Sequence, residues 1–113
     1  MKKNMKLDLN DIGGEIVKDN ETYLLKDNKF LNNLVLSSTL LNPFKQTTGH
    51  NHSGQEEVYF FVNGSGRMLL DDEEFPVEAG DIVLIPDGAF HRVINDTAEP
   101  FYFVCVFDGK RSH

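Results

Sequence analysis

The chain has 113 residues, enough for one domain around a single hydrophobic core and too few for two. Its formal net charge of -7 excludes a basic nucleic-acid-binding face, and no window is apolar enough for a transmembrane span. A lone cysteine, Cys105, cannot close an internal disulfide, which fits the reducing cytoplasm expected for a soluble protein.

Lys2, Lys3 and Lys6 imitate the start of a signal peptide, but Asp8, Asn10 and Asp11 follow where an apolar stretch would be required. Residues 1–20 read as a loose N-terminal arm with one short strand or turn near Ile16-Val17. Short apolar runs follow at Tyr23-Leu24-Leu25, Leu34-Val35-Leu36 and Leu40-Leu41, broken by Asp27-Asn28, Ser37-Ser38 and Asn42-Pro43. Runs of this length suit strands, and the Asn and Ser pairs among them are poor helix interiors.

Glu57 to Val62 is rich in aromatic and β-branched residues and reads as a strand. Asn63-Gly64-Ser65-Gly66 reads as a hairpin turn, returning through Arg67-Met68-Leu69-Leu70 to a second turn at Asp71–Glu74. Phe75-Pro76-Val77, Ile82 to Ile85, Arg92 to Asn95 and Phe101 to Phe107 supply the remaining strands, with turn signals between them. The expected fold is all-β, with a body over residues 21–108 and a short tail over 109–113.

Chemistry concentrates between Gly49 and Asn95. On a strand, His50 and His52 point to the same side. The step Ser53-Gly54-Gln55 then brings a carboxylate from Glu56-Glu57, and His91 arrives from another turn after Pro86-Asp87-Gly88. Three imidazoles and one carboxylate suit a first-row transition metal and leave room for water or substrate. His113, at the chain end, is not counted as a ligand.

Alternation then places Tyr59 and Phe61 on the face of Glu57, Val93 on that of His91, and Gln46 and Thr48 on that of His50. These five form the expected substrate pocket. Tyr59 is the candidate catalytic residue, as a hydrogen-bond donor or, with a depressed pKa, an acid/base. On the last strand, either Phe101, Phe103, Cys105 and Phe107 or the alternate residues face inward.

The segment resembles the two motifs of the cupin superfamily. His50-Asn51-His52, four residues, Glu57, six residues and Gly64 follow the first from its first histidine onward. Gly80, Pro86, Gly88, His91 and Asn95 follow the second at every specified position. The departure is Phe44, which stands where the first motif opens on glycine. The six residues to Gly64 select Glu57 over Glu56.

The resemblance implies a single jelly-roll β-barrel holding one divalent metal (Mn, Fe, Ni, Zn, Co or Cu) on His50, His52, Glu57 and His91. Thr47-Thr48-Gly49-His50-Asn51-His52 is also similar to the Thr-x-Gly-His-x-His opening of cupin-type phosphoglucose isomerases. A metal-dependent sugar or sugar-phosphate isomerase or epimerase is therefore the leading expectation. An iron-dependent dioxygenase and a non-catalytic small-molecule binding or sensing domain are the alternatives. Cupins commonly dimerise, and Phe60 and Val62, or the outward set on the final strand, suggest where a homodimer would meet.

Overall fold

The computed structural model describes residues 5–51 and 53–109. Nine strands follow in order: β1 (Glu15–Asp19), β2 (Tyr23–Asn28), β3 (Leu34–Leu41), β4 (Glu57–Asn63), β5 (Ser65–Leu70), β6 (Glu73–Glu78), β7 (Ile82–Ile85), β8 (His91–Ile94) and β9 (Phe101–Asp108). They form two antiparallel sheets, one ordered β1-β2-β3-β9-β4-β7 and the other β6-β5-β8. This is the all-β jelly-roll architecture. Among the described residues no helix is long and apolar enough to cross a membrane.

Period-two patterning decides what the sheets enclose. Glu57, Tyr59 and Phe61 face inward from β4, opposite Phe107, Cys105 and Phe103 of β9. Of the two faces left open on β9, the Phe101, Phe103 and Cys105 face is the buried one. Phe61 stacks on Phe101 with ring centroids 5.1 Å apart, and Tyr59 stacks on Phe103 at 5.6 Å. Met68 and Val93 complete the core from the small sheet. Such offset aromatic contacts add to the area term that holds the sheets together.

Two expectations about local structure change. Asn63-Gly64 is not a hairpin turn: β4 pairs with β9 and β7, whereas β5 pairs with β6 and β8. Gly64 is the corner where the chain changes sheet. It needs φ +98°, and a Cβ there would lie 2.6 Å from the Pro100 carbonyl oxygen. Nor does Ser37-Ser38 interrupt its strand. β3 runs unbroken through both serines because β2 and β9 pair with it on either side, and Ser37 Oγ donates to the Lys26 carbonyl at 3.2 Å.

The Ile16-Val17 strand is β1, which joins the edge of the large sheet beside β2. Upstream of it, Asn28 Nδ2 donates to the Ile12 carbonyl at 2.7 Å, and Tyr102 Oη donates to the Leu9 carbonyl at 2.9 Å. These bonds tie residues 9–12 across the large sheet.

Phe44, the departure from the glycine of the first motif, holds φ +58° with its side chain 69% exposed. The backbone thus keeps the left-handed turn that the motif's glycine would allow, at a steric cost of about 1 kcal/mol. Phe44→Gly is expected to raise unfolding stability by up to about 1 kcal/mol, less the backbone entropy glycine adds to the unfolded chain. Urea denaturation measures it; a clear loss of stability would show that the Phe44 ring makes contacts that outweigh the strain.

Candidate metal centre

β4 and β8 supply two of the candidate ligating side chains, Glu57 and His91, and the segment leading into His50 supplies a third. Residues 45–50 run alongside β8, with bridges at Gln46–Ile94 and His50–His91 and reciprocal backbone bonds between the two histidines of 3.2 and 3.0 Å. Gly49 permits this approach, because a Cβ there would run into the Phe90 ring. From Gln46 to His50 the chain takes four steps while its partner takes three, from Ile94 to His91. The extra residue is a bulge, and it breaks the simple alternation.

Its consequence bears on the expected pocket. Gln46 is exposed beside Ile94 and does not line the cavity, whereas Thr47 and Thr48 both do. Thr47 Oγ1 also accepts a hydrogen bond from the Val93 amide at 3.0 Å.

His50 and His91 present their rings alike. His50 Nδ1 lies 3.4 Å from the Thr48 carbonyl, and His91 Nδ1 lies 3.2 Å from the Ala89 carbonyl. With each Nδ1–H donating to that carbonyl, the Nε2 lone pairs are left for a ligand. The ring centroids are 4.5 Å apart at 67°. Donor atoms of His50, Glu57 and His91 all lie within 4.8 Å of one another. Two ligands at ordinary bond lengths from one ion are at most about 4.2 Å apart, so a small side-chain adjustment brings all three into one shell.

Glu57 and His91 supply the sharper test of fit. Glu57 Oε2 lies 2.9 Å from His91 Nε2, close enough for an ion pair, yet both atoms are buried and neither meets hydrogen-bond geometry with any partner. Two buried polar atoms side by side without a hydrogen bond are costly unless a third group satisfies both. A divalent cation meets that requirement, and the oxygen and nitrogen donor set suits it. Glu56, in contrast, is exposed.

The surroundings tune these groups. Burial, the largest influence on His91, pulls its pKa down, but the Glu57 carboxylate and the Ala89 carbonyl together outweigh it and raise it above the ordinary histidine value. Burial pushes Tyr59 well above the usual phenol value, with Cys105 and Glu57 adding to the effect. The direction is opposite to the depressed pKa that an acid/base tyrosine would need, and it leaves the phenol a hydrogen-bond donor. Burial and Glu57 likewise push the Cys105 thiol far up, so the side chain remains a neutral thiol.

Beside these groups lies a cavity of about 380 Å³, lined by the large sheet and by Thr47, Thr48 and His50. His50, Glu57 and Tyr59 line one part of it, and Tyr59 stands edge-on to His91 at 5.7 Å. Phe61 and Val93 face inward but lie in the core and not on the cavity wall. Lys18, Asp27, Ser37, Thr39 and Gln55 line it without having been singled out, and Cys105 lines it from the inward face of β9. Alternation along β2 and β3 would have revealed Asp27, Ser37 and Thr39 had the two serines been read as strand. The fourth expected ligand, His52, lies outside the described residues, as does His113.

Residues 39–107 match the cupin domain family. The chain belongs to the cupins. A glucose-6-phosphate isomerase of Pyrococcus abyssi is 32% identical to this cupin over 106 residues, covering 82% of the chain and 56% of the isomerase. The cupin chain therefore spans about half the length of the curated isomerases it matches. An uncharacterized protein of Methanocaldococcus jannaschii, 28% identical, is covered over 82% of its length. Among solved structures, a double-stranded β-helix domain protein of Klebsiella pneumoniae superposes with a TM-score of 0.77 at 21% identity, covering 86% of each chain, and shows the same fold.

Proposed function

We propose that this cupin is a metal-dependent enzyme of the sugar or sugar-phosphate isomerase type, with His50, His52, Glu57 and His91 as ligands of one divalent metal. The observation that carries the reading is the buried pair of donor atoms on Glu57 and His91, 2.9 Å apart without a hydrogen bond to any group, with Glu57 and His50 lining a cavity sized for a small ligand. Similarity to the glucose-6-phosphate isomerases supports the choice of chemistry.

A divalent metal there would act as a Lewis acid on a substrate hydroxyl or carbonyl. The chain's own residues do the rest. Tyr59 presents a protonated phenol beside His91, suited to donate to a substrate oxygen. Thr47 and Thr48 offer polar contacts on the adjoining wall. Phe103 and Phe107 line the cavity with apolar surface that limits water.

Metal-reconstituted protein is expected to interconvert an aldose and its ketose, or their phosphates, without consuming oxygen. Oxygen uptake by the iron-loaded form would favour a dioxygenase instead. Saturable sugar binding without turnover would favour the binding-domain reading. A homodimer is part of the proposal: Ile82 and Leu84 of β7 are 60% and 68% exposed beside Phe60 of β4, and a monomeric mass in solution would exclude it.

A further inference from the structure

We infer that Lys18 forms the seat for an anionic group of the ligand, a phosphate or a carboxylate, in the same cavity as the metal ligands. The inference rests on the proposed metal site and names the class of substrate it takes.

The observation is a register shift in β1. Ile16 pairs with Lys26, and regular pairing would set Lys18 opposite Leu24, on the outer face of the large sheet with Lys26. Instead the ladder slips between Ile16 and Lys18, and Lys18 pairs with Leu25. Leu25 lies on the inward face with Tyr23 and Asp27, so the bulge moves the lysine to the cavity side. Bulges serve to re-aim single side chains beside functional sites.

The electrostatics favour the same conclusion. Lys18 is the one lysine or arginine among the described residues lining this cavity, which also carries the carboxylates Asp27 and Glu57. Among the described residues Lys18 forms no ion pair, while Lys26 on the opposite face is held by Asp11 at 2.8 Å. Lys18 is solvent-exposed on the cavity wall, and an ammonium there without a carboxylate partner is available to an anion. His50 and Glu57 line the same cavity, so a sugar could place its anionic substituent on Lys18 and its oxygens toward them.

Binding of glucose 6-phosphate, glucuronate and glucose to the wild type, Lys18→Arg and Lys18→Glu tests this by calorimetry, with metal content measured on every sample. The wild type is expected to prefer one of the anions to glucose, and the preferred anion identifies the group. Lys18→Glu should weaken that anion by about tenfold or more, as for a lost charged hydrogen bond. Glucose affinity and metal content should be unchanged, and Lys18→Arg should retain most of the preference. Equal affinity of the wild type for glucose and both anions would overturn the inference, as would an anion affinity indifferent to Lys18→Glu. Protein that takes up no metal but whose anion affinity still depends on Lys18 would sink the metal reading and keep the anion seat.

Discussion

Replacing His91 by alanine is expected to remove metal binding while leaving the chain folded. The imidazole is almost fully buried, and its Nε2 lies 2.9 Å from the Glu57 carboxylate, so no neighbouring side chain can take its place. Loss of a supporting outer group costs metal sites roughly 10–100-fold, and loss of a ligand should exceed that. The readout is thermal unfolding with and without added metal. Metal at about one hundred times its dissociation constant adds roughly 2.7 kcal/mol, a rise on the order of 10 °C for a domain this small. The wild type should show that rise and His91→Ala should not. Glu57→Gln, which keeps the shape of the side chain, should also lose the response. Variants that retain the full metal-dependent rise would refute the ligand assignment.

Asn95→Ala is expected to cost about 3 kcal/mol or more in stability, although Asn95 closes the motif that carries the candidate ligand His91. Its side chain is buried and holds three strand ends together. Nδ2 donates to the carbonyls of Leu41, Asn42 and Glu99 at 3.1, 3.1 and 2.8 Å. Oδ1 accepts from the Thr97 amide and hydroxyl at 3.0 and 2.8 Å. Alanine would leave these groups without partners, and Asn95→Asp, though nearly the same shape, would turn a carboxylate toward three carbonyls. Both variants should unfold at lower urea concentration yet bind metal when folded in the cold. A stable Asn95→Ala protein that had lost its metal would show instead that the residue serves the site directly.

Several features were legible in the sequence for identifiable reasons. β4 alternates cleanly because one face meets the core, so Tyr59 and Phe61 could be placed inward from spacing alone. The second motif combines a glycine turn at Gly88, with φ +78°, and a histidine three residues on, and it leads straight into β8. Where the reading failed, the cause was non-local. Gly64 carries the signature of a hairpin, and only strand pairing shows that it turns the chain into another sheet. Ser37-Ser38 looks like a break because the ladders that satisfy it come from distant strands. Bulges at Ile16–Lys18 and between Gln46 and His50 shift which side chains face the cavity, and no single-strand periodicity contains them. Lys18 and Thr47 were missed for that reason, and Gln46 was placed on the wall for the same reason.

Phe44 illustrates a subtler failure. A bulky residue in place of the motif's glycine gives no sign of a left-handed turn, yet the left-handed backbone is kept at Phe44 itself. The conformation belongs to the fold, which tolerates a strained residue where glycine would be easier.

The central claim is that Glu57 and His91, with His50 beside them, are ligands of one divalent cation. Elemental analysis of the purified protein after exposure to Mn, Fe, Co, Ni, Cu and Zn, followed by desalting, tests it most directly. About one equivalent of a divalent transition metal per chain is the expected result, removable by a chelator. A folded protein that retains none of the six metals would contradict the account.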